Sequence, residues 1–399
     1  MPASDETRRQ ALAVLRALAG GPSLAGDPLA EPSAQLLQSL EREGLLAHLD
    51  SPPDSGLAAA ARGAARRAAQ RNLFALATLA AVHRAFARAG VAHLAFKGPV
   101  SNALLFGGRA RRIYADLDLL VRRDDRERAA AALAGLSFRR PIRGGPFAAL
   151  ARRIHFHAAF APPPRTELLP VELHWALVDR VNLLRIDLEA LFAAAETLSV
   201  GGERVPVLDP AAHLLYLCCH LRKHDPLIPW GVRAGRPAEW FCREARGYPL
   251  AWLLDLHHSF LIAAERLDPE RLTRLAHEWN VAEEVADAVG LLDRVMPSPR
   301  RSAAIARLGL AARPPVAPGA ARSRLLAALM ENRLGRLVAS RGVRLNEAGF
   351  FRPIRLLDLP RVLAPSPSRL RAFHRDARSS LPRLYARHVL TMLRRLLDP

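Results

Sequence analysis

Helical spacing dominates the first part of the apolar pattern. Residues 1–50 read as short helices broken by Gly20, Gly21, Pro22, Pro28 and Pro32, and SPPDSG at 51–56 as a turn or linker. From Leu57 to Arg88 the Ala-, Leu- and Arg-rich pattern predicts one long helix, with Gly90 where a capping glycine belongs. The period then changes. Val91–Phe96 reads as a strand that Lys97-Gly98-Pro99 ends, and a short helix over Ser101–Phe106 runs into Gly107-Gly108. After an arginine cluster (Arg109, Arg111, Arg112), Ala115–Val121 reads as an apolar strand carrying two aspartates, and Asp125–Leu136 as a helix. Arg153–Ala161 alternates, with Ile154, Phe156 and Ala158 opposite His155 and His157, and Val171–Trp175 is a further strand. Strands with helices between them make residues 91–175 α+β or α/β.

From Asp209 the pattern returns to helix. DPAAHLLYLCCHLRKHD opens with an Asp-Pro start signal, and helical patterns continue through Trp252–Arg266 and Asp268–Val295. A Pro-, Ser- and Arg-rich break spans residues 296–323. An Arg/Leu-rich helical remainder follows, interrupted at Pro353 and at 364–368. The expected organisation is a helical region over 1–56, a core over 57–208, a second helical region over 209–299 and a basic helical region over 300–399.

Charge sharpens that last division. The 399 residues carry a formal net charge of +20. Residues 300–399 hold 21 arginines against five acidic residues, so the first three quarters are close to neutral. Of the 58 basic residues only Lys97 and Lys223 are lysine. Half the residues are apolar, which excludes a disordered chain and supports a sizeable core. Three cysteines (Cys218, Cys219, Cys242) make no disulfide framework and fit a reducing compartment. The opening MPASDETRRQ lacks the apolar stretch of a signal peptide, and no apolar run approaches the roughly 20 residues of a membrane span. The expectation is a cytoplasmic protein.

The candidate chemistry lies in the neutral part. On a strand, Asp116 and Asp118 project from one face while Leu117, Leu119 and Val121 point the other way. Paired carboxylates beside a core repel each other unless a hard divalent cation neutralises them. Glu172, sharing a face of VELHW with His174, is the candidate third carboxylate. Lys97-Gly98 ends the preceding strand, where a glycine backbone and a compact ammonium could meet a triphosphate. His213, His220 and His224 share a helix face, without the Glu of a zinc-protease motif.

Together these segments resemble a known family. RNLFALATLAAVHRAFARAGVAHLAFKG, then GRARRIYADLDLLV, then VELHW are similar to the uncharacterised nucleotidyltransferase family of the DNA polymerase β-like superfamily. The likeness covers about residues 70–260. It implies an α+β nucleotidyltransferase fold, an NTP substrate and Mg²⁺ or Mn²⁺. It also implies that Asp116, Asp118 and Glu172 serve as metal ligands and catalytic carboxylates. Lys97 and Gly98 would face the triphosphate, Arg112 would meet the nucleotide's negative charge, and His174, His220 and His224 are candidates for an acceptor pocket. Lys-Gly-Pro stands where the wider superfamily has Gly-Ser, and Gly98 lies farther from Asp116 than is usual there.

The expected activity is transfer of a nucleoside monophosphate from an NTP to a hydroxyl acceptor. A non-catalytic protein of the same fold and a phosphotransferase using the same carboxylates are the alternatives. For the basic quarter three readings stand. One is docked helices with a solvated arginine face, and another is an arginine surface for RNA or another polyanion. The third is an interfacial helix at a membrane surface, with Tyr385, Val389, Met392 and Leu396 opposite Arg383, Arg387 and Arg394.

Overall fold

A 33-residue helix organises the first half of the chain. In the computed structural model, described over residues 5–20, 32–49, 56–140, 156–178, 184–224, 250–311, 367–376 and 378–397, α1 (Asp5–Leu18) and α2 (Ala34–Arg42) lead into α3 (Gly56–Arg88). Beyond its end, Gly90 takes φ 63°, and Val91 N donates back to Phe86 O at 2.9 Å. This left-handed glycine turns the chain into the sheet, as the sequence pattern anticipates.

The sheet comprises β1 (His93–Ala95), β2 (Leu117–Val121), β3 (His157–Phe160), β4 (Val171–His174), β5 (Glu196–Val200) and β6 (Glu203–Val207). Among the described residues, the α-helices between these strands are α4 (Pro99–Phe106), α5 (Arg126–Gly135) and α6 (Leu188–Ala193). The strand order is β3-β4-β2-β1-β6-β5. β2 runs antiparallel to β1 and parallel to β4, and β1 runs parallel to β6. Mixed pairing with flanking helices gives the α+β nucleotidyltransferase fold that the resemblance implies.

Several strands are shorter than the apolar pattern suggests. The pattern places Asp116 within a strand, but β2 begins at Leu117 and Asp116 sits in the bend before it. Residues 196–207 carry a hairpin that the sequence reading passes over. Gly201 and Gly202 form its tip at φ 60° and 85°, a left-handed pair that suits a tight hairpin turn. A Cβ on Gly201 would also come within 2.9 Å of Leu76.

The helical half comprises α7 (Pro210–His224), α8 (Ala251–Arg266), α9 (Pro269–Glu278), α10 (Ala282–Val295), α11 (Pro299–Arg307), α12 (Pro367–His374) and α13 (Leu381–Leu397). The continuous pattern over Asp268–Val295 is two helices, because Asn280 turns left-handed at φ 59° between them.

The two sheet faces have separate apolar partners. Ala95, Leu117, Leu119, Val121, Val171 and Leu173 pack against Leu79, Val82 and Phe86 of α3 and Ala129 and Leu133 of α5. Leu94, Phe96 and Leu120 join a second core containing residues of α1, α2, α7, α8 and α10. Side chains alternate along a strand, so Asp118 and His174 share the face of Leu94 and Leu120. Cys218 and Cys219 are buried in that second core, where burial holds the Cys218 thiol above its ordinary range.

Two features qualify the basic region. Arg301 is fully buried, donating to Asp293 Oδ1 at 3.0 Å and to Met296 O at 2.8 Å. Among the described side chains of α13, Leu384 and His388 are buried, while Val389 is 40% exposed. The helix packs on α12 through this side, with His388 edge-on to Phe373, so the stripe expected for a membrane surface keeps Val389 in solvent and Tyr385 half-buried. The side chains of Met392, Arg394 and Leu396, together with His155, Trp230, Trp240, Cys242 and residues 312–366, lie outside the described residues. Among the described residues, no helix is long and apolar enough to cross a membrane.

Candidate active site

Parallel pairing of β2 with β4 builds the site. The register sets Asp118 beside Glu172 and Leu120 beside His174. Oxygen atoms of Asp118 and Glu172 and a ring nitrogen of His174 all lie within 4.8 Å of one another. His174 Nε2 is 3.0 Å from Asp118 Oδ1 and 3.4 Å from Glu172 Oε2. The His174 ring is wedged in place: Phe96 meets it edge-on at 5.1 Å, and His157 stacks on it at 5.0 Å. His157 Nε2 also lies 3.9 Å from Glu172 Oε2. His174 Nδ1 is buried with no hydrogen-bond partner among the described residues.

Lys97 reaches the same carboxylate from the end of β1. Its Nζ lies 3.0 Å from Asp118 Oδ1, and the Tyr216 and Phe96 rings flank it at 5.6 and 5.8 Å. Gly98 makes this turn possible. Its φ of 60° with ψ of −124° is a backbone state that side-chain-bearing residues rarely adopt, and it leads directly into α4 at Pro99.

Electrostatics separates the three carboxylates. Burial pushes Asp116 up, and the neighbouring Asp118 and Glu172 carboxylates add to this, giving a pKa of about 7. For Asp118 burial acts upward as well, but Lys97 and His174 outweigh it and hold the group below the ordinary carboxylate range. Glu172 is likewise opposed by burial, yet the His174 hydrogen bond brings it down to about 2. Lys97 shows the reciprocal effect: burial disfavours its ammonium, but Asp118 and Tyr216 hold its pKa above the ordinary lysine value.

A divalent cation fits this donor set. Carboxylate oxygens suit a hard cation, and the crowding that pushes Asp116 up is the negative excess such an ion would relieve. The mutual proximity is found for Asp118, Glu172 and His174, and Asp116, in the bend before β2, is close enough for both other carboxylates to act on it.

Arg112 is tied to α8. Its Nε pairs with Asp255 Oδ2 of α8 at 2.9 Å, and both side chains are largely buried. Asp255 Oδ1 is buried without a partner among the described residues, and burial pushes this acid up to about 6 despite Arg112. Asp255 went unassigned in the sequence, since nothing local in LLDLHH marks it as an arginine's partner. His213 is buried against Ser101 Oγ at 3.2 Å, which ties α7 to α4. His220 meets Trp252 edge-on at 5.0 Å and Tyr216 at 5.8 Å. The His224 side chain lies outside the described residues.

A mixed sheet of this order, carrying an aspartate of one strand beside a glutamate of its parallel neighbour, defines a protein of the nucleotidyltransferase fold. The particular family follows from comparison: the model of the family described as "Uncharacterised nucleotidyltransferase" matches residues 33–297. The match spans well over half of the chain, which therefore belongs to that family. No curated protein and no solved structure matches the chain.

Proposed function

We propose that this protein transfers a nucleoside monophosphate from an NTP to a hydroxyl acceptor, with Asp116, Asp118 and Glu172 as its working carboxylates. The observation that carries the reading is the convergence of Asp118, Glu172 and His174 on the sheet face reached by Lys97. Mg²⁺ or Mn²⁺ held by the carboxylates would supply Lewis-acid activation of the phosphate and of the attacking hydroxyl. The chain's own residues divide the remaining work. His174 donates from Nε2 toward Asp118 and Glu172 and keeps both ionised and oriented. Asp116 completes the carboxylate set, and an ion held there would relieve the crowding that pushes it up.

Lys97 and Gly98 at the start of α4 are assigned to the triphosphate side. Arg112, tied to Asp255, fixes the segment that leads to Asp116. The acceptor is assigned to the α7–α8 side, where His220 packs with Trp252.

The test is to incubate purified protein with NTPs labelled at the α- or γ-phosphate, a divalent metal and a cell extract. The expected result is α-label on an acceptor, lost in Asp116→Ala and Asp118→Ala. Transfer of γ-label alone would replace this reading with phosphoryl transfer. NTP binding without any transfer would support a non-catalytic role.

A further inference from the structure

One oxygen of the site is fully subscribed. Lys97 Nζ and His174 Nε2 both lie 3.0 Å from Asp118 Oδ1, on a carboxylate whose side chain is 2% exposed. A carboxylate oxygen has two lone-pair directions, and two charge-assisted contacts fill them. Where two metal ions share a transfer site, they sit on either side of the reacting phosphate as a paired clamp. Here part of that clamp is already formed by the protein. The Lys97 ammonium is held over the Phe96 and Tyr216 rings and keeps only 22% of its side-chain surface exposed, so it is not a free surface group that an arriving ion would displace at little cost.

We propose that Lys97 stands in for one of two divalent ions, so that the carboxylates of this site hold a single metal ion and Lys97 supplies the second positive centre on Asp118. The inference rests on the metal-dependent reading above.

Charge balance points the same way. Asp116, Asp118 and Glu172 with one ammonium and one divalent ion come to neutrality. In the nucleotide-free site, a second divalent ion beside a retained Lys97 would leave a buried positive excess, which is costly in a weakly polar interior. The choice of residue agrees too. The chain uses arginine almost everywhere, yet it has lysine here. A compact ammonium can occupy the place of an ion on a single oxygen, whereas a planar guanidinium spreads its charge over a fork.

The experiment counts ions directly. Full-length protein without nucleotide is titrated with Mn²⁺ and followed by electron paramagnetic resonance, and any Mn²⁺ retained by Asp118→Asn is subtracted as binding elsewhere. Wild type should hold one magnetically isolated Mn²⁺ at the site. Lys97→Met should bind Mn²⁺ at least about tenfold more tightly, since a unit positive charge at contact distance has gone. It should also take up a second ion, giving the broadened spectrum of a coupled pair. Lys97→Gln repeats the test if the methionine variant does not fold, and the wild-type count is repeated with a non-hydrolysable NTP analogue, where one site-bound Mn²⁺ is again expected. A coupled pair in wild type, or an unchanged count and affinity in both variants, overturns the assignment of Lys97 alone. Absence of site-specific Mn²⁺ from wild type and variants overturns the metal-dependent reading and this inference with it.

Discussion

The Lys97–Asp118 pair makes a quantitative prediction about stability. Asp118→Asn keeps the side chain's shape and removes its charge, which leaves the Lys97 ammonium without its hydrogen-bonded counter-ion. Breaking one side of a buried ion pair costs about 3–5 kcal/mol, and the residual exposure of Lys97 places this case near the lower end, about 3 kcal/mol. Lys97→Met should cost a similar amount, because Asp118 would then be buried against His174 only. The two costs should not add. With both charges gone, the double variant should lose about 4 kcal/mol rather than about 6, a coupling of about 2 kcal/mol. Urea unfolding at neutral pH, followed by circular dichroism without added metal, measures all three variants. The pH dependence supplies a second reading. Against burial, Lys97 and His174 hold Asp118 below the ordinary carboxylate range. Its contribution is therefore complete above the unfolded pKa, near pH 4, and is lost as the pH falls further toward the folded value. Asp118→Asn should flatten that acid limb. Additivity within about 0.5 kcal/mol, together with an unchanged acid limb, would refute the buried pair.

Three further outcomes follow from the surroundings. Gly98→Ala meets nothing closer than 3.5 Å, so its cost of about 1–3 kcal/mol should come from the backbone alone and appear equally in Gly98→Ser, measured by thermal unfolding. His213 is buried with its pKa lowered to about 4 by burial, so it favours the folded state above about pH 6.5 and loses that contribution as the pH falls toward 4; His213→Phe should remove about 3 kcal/mol of acid destabilisation, read from urea midpoints across that range. Arg112→Ala leaves Asp255 buried and uncompensated, and because burial has already raised Asp255 to about 6, the loss should be small at pH 5 and grow to about 3 kcal/mol at pH 8, with Asp255→Asn in the same background recovering most of it.

The sequence made the site far more legible than the fold around it. Asp118, Glu172 and His174 stand in apolar strands, where a carboxylate or imidazole is conspicuous and the period of two fixes its face. Lys97 was conspicuous through composition. Asp116 was misplaced by one step, since nothing local says that β2 starts at Leu117, where the first ladder contact with Pro170 O forms. The β5–β6 hairpin was missed although Gly201-Gly202 signals it, because its strands are short and bury only Val200, Val205 and Val207, too few positions to make a strong apolar alternation. The Arg112–Asp255 pair joins residues 143 positions apart and has no local signature at all. On α13 the sequence does not say which side docks, and the contact with α12 covers Leu384 and His388 while Val389 stays exposed.

One consequence concerns how a costly cluster of charges is held in place. Carboxylates crowded at a sheet face would prefer any register that carries them to water. In a strand, a slip of one residue turns every side chain to the opposite face. Here that slip would carry Leu117, Leu119 and Val121, or Val171 and Leu173, out of the core beneath α3, and all five are completely buried. At about 1.5–3 kcal/mol each, roughly 5–9 kcal/mol of apolar burial opposes a slip of β2 and roughly 3–6 kcal/mol a slip of β4. For β2 that exceeds the roughly 4 kcal/mol gained by releasing one crowded carboxylate whose pKa has risen to about 7 from 3.8. The apolar face of β2 and β4 thus fixes where the chemistry of the other face stands. A polar substitution at Leu119 or Leu173 should weaken the site without touching it, by freeing a register that only burial enforces.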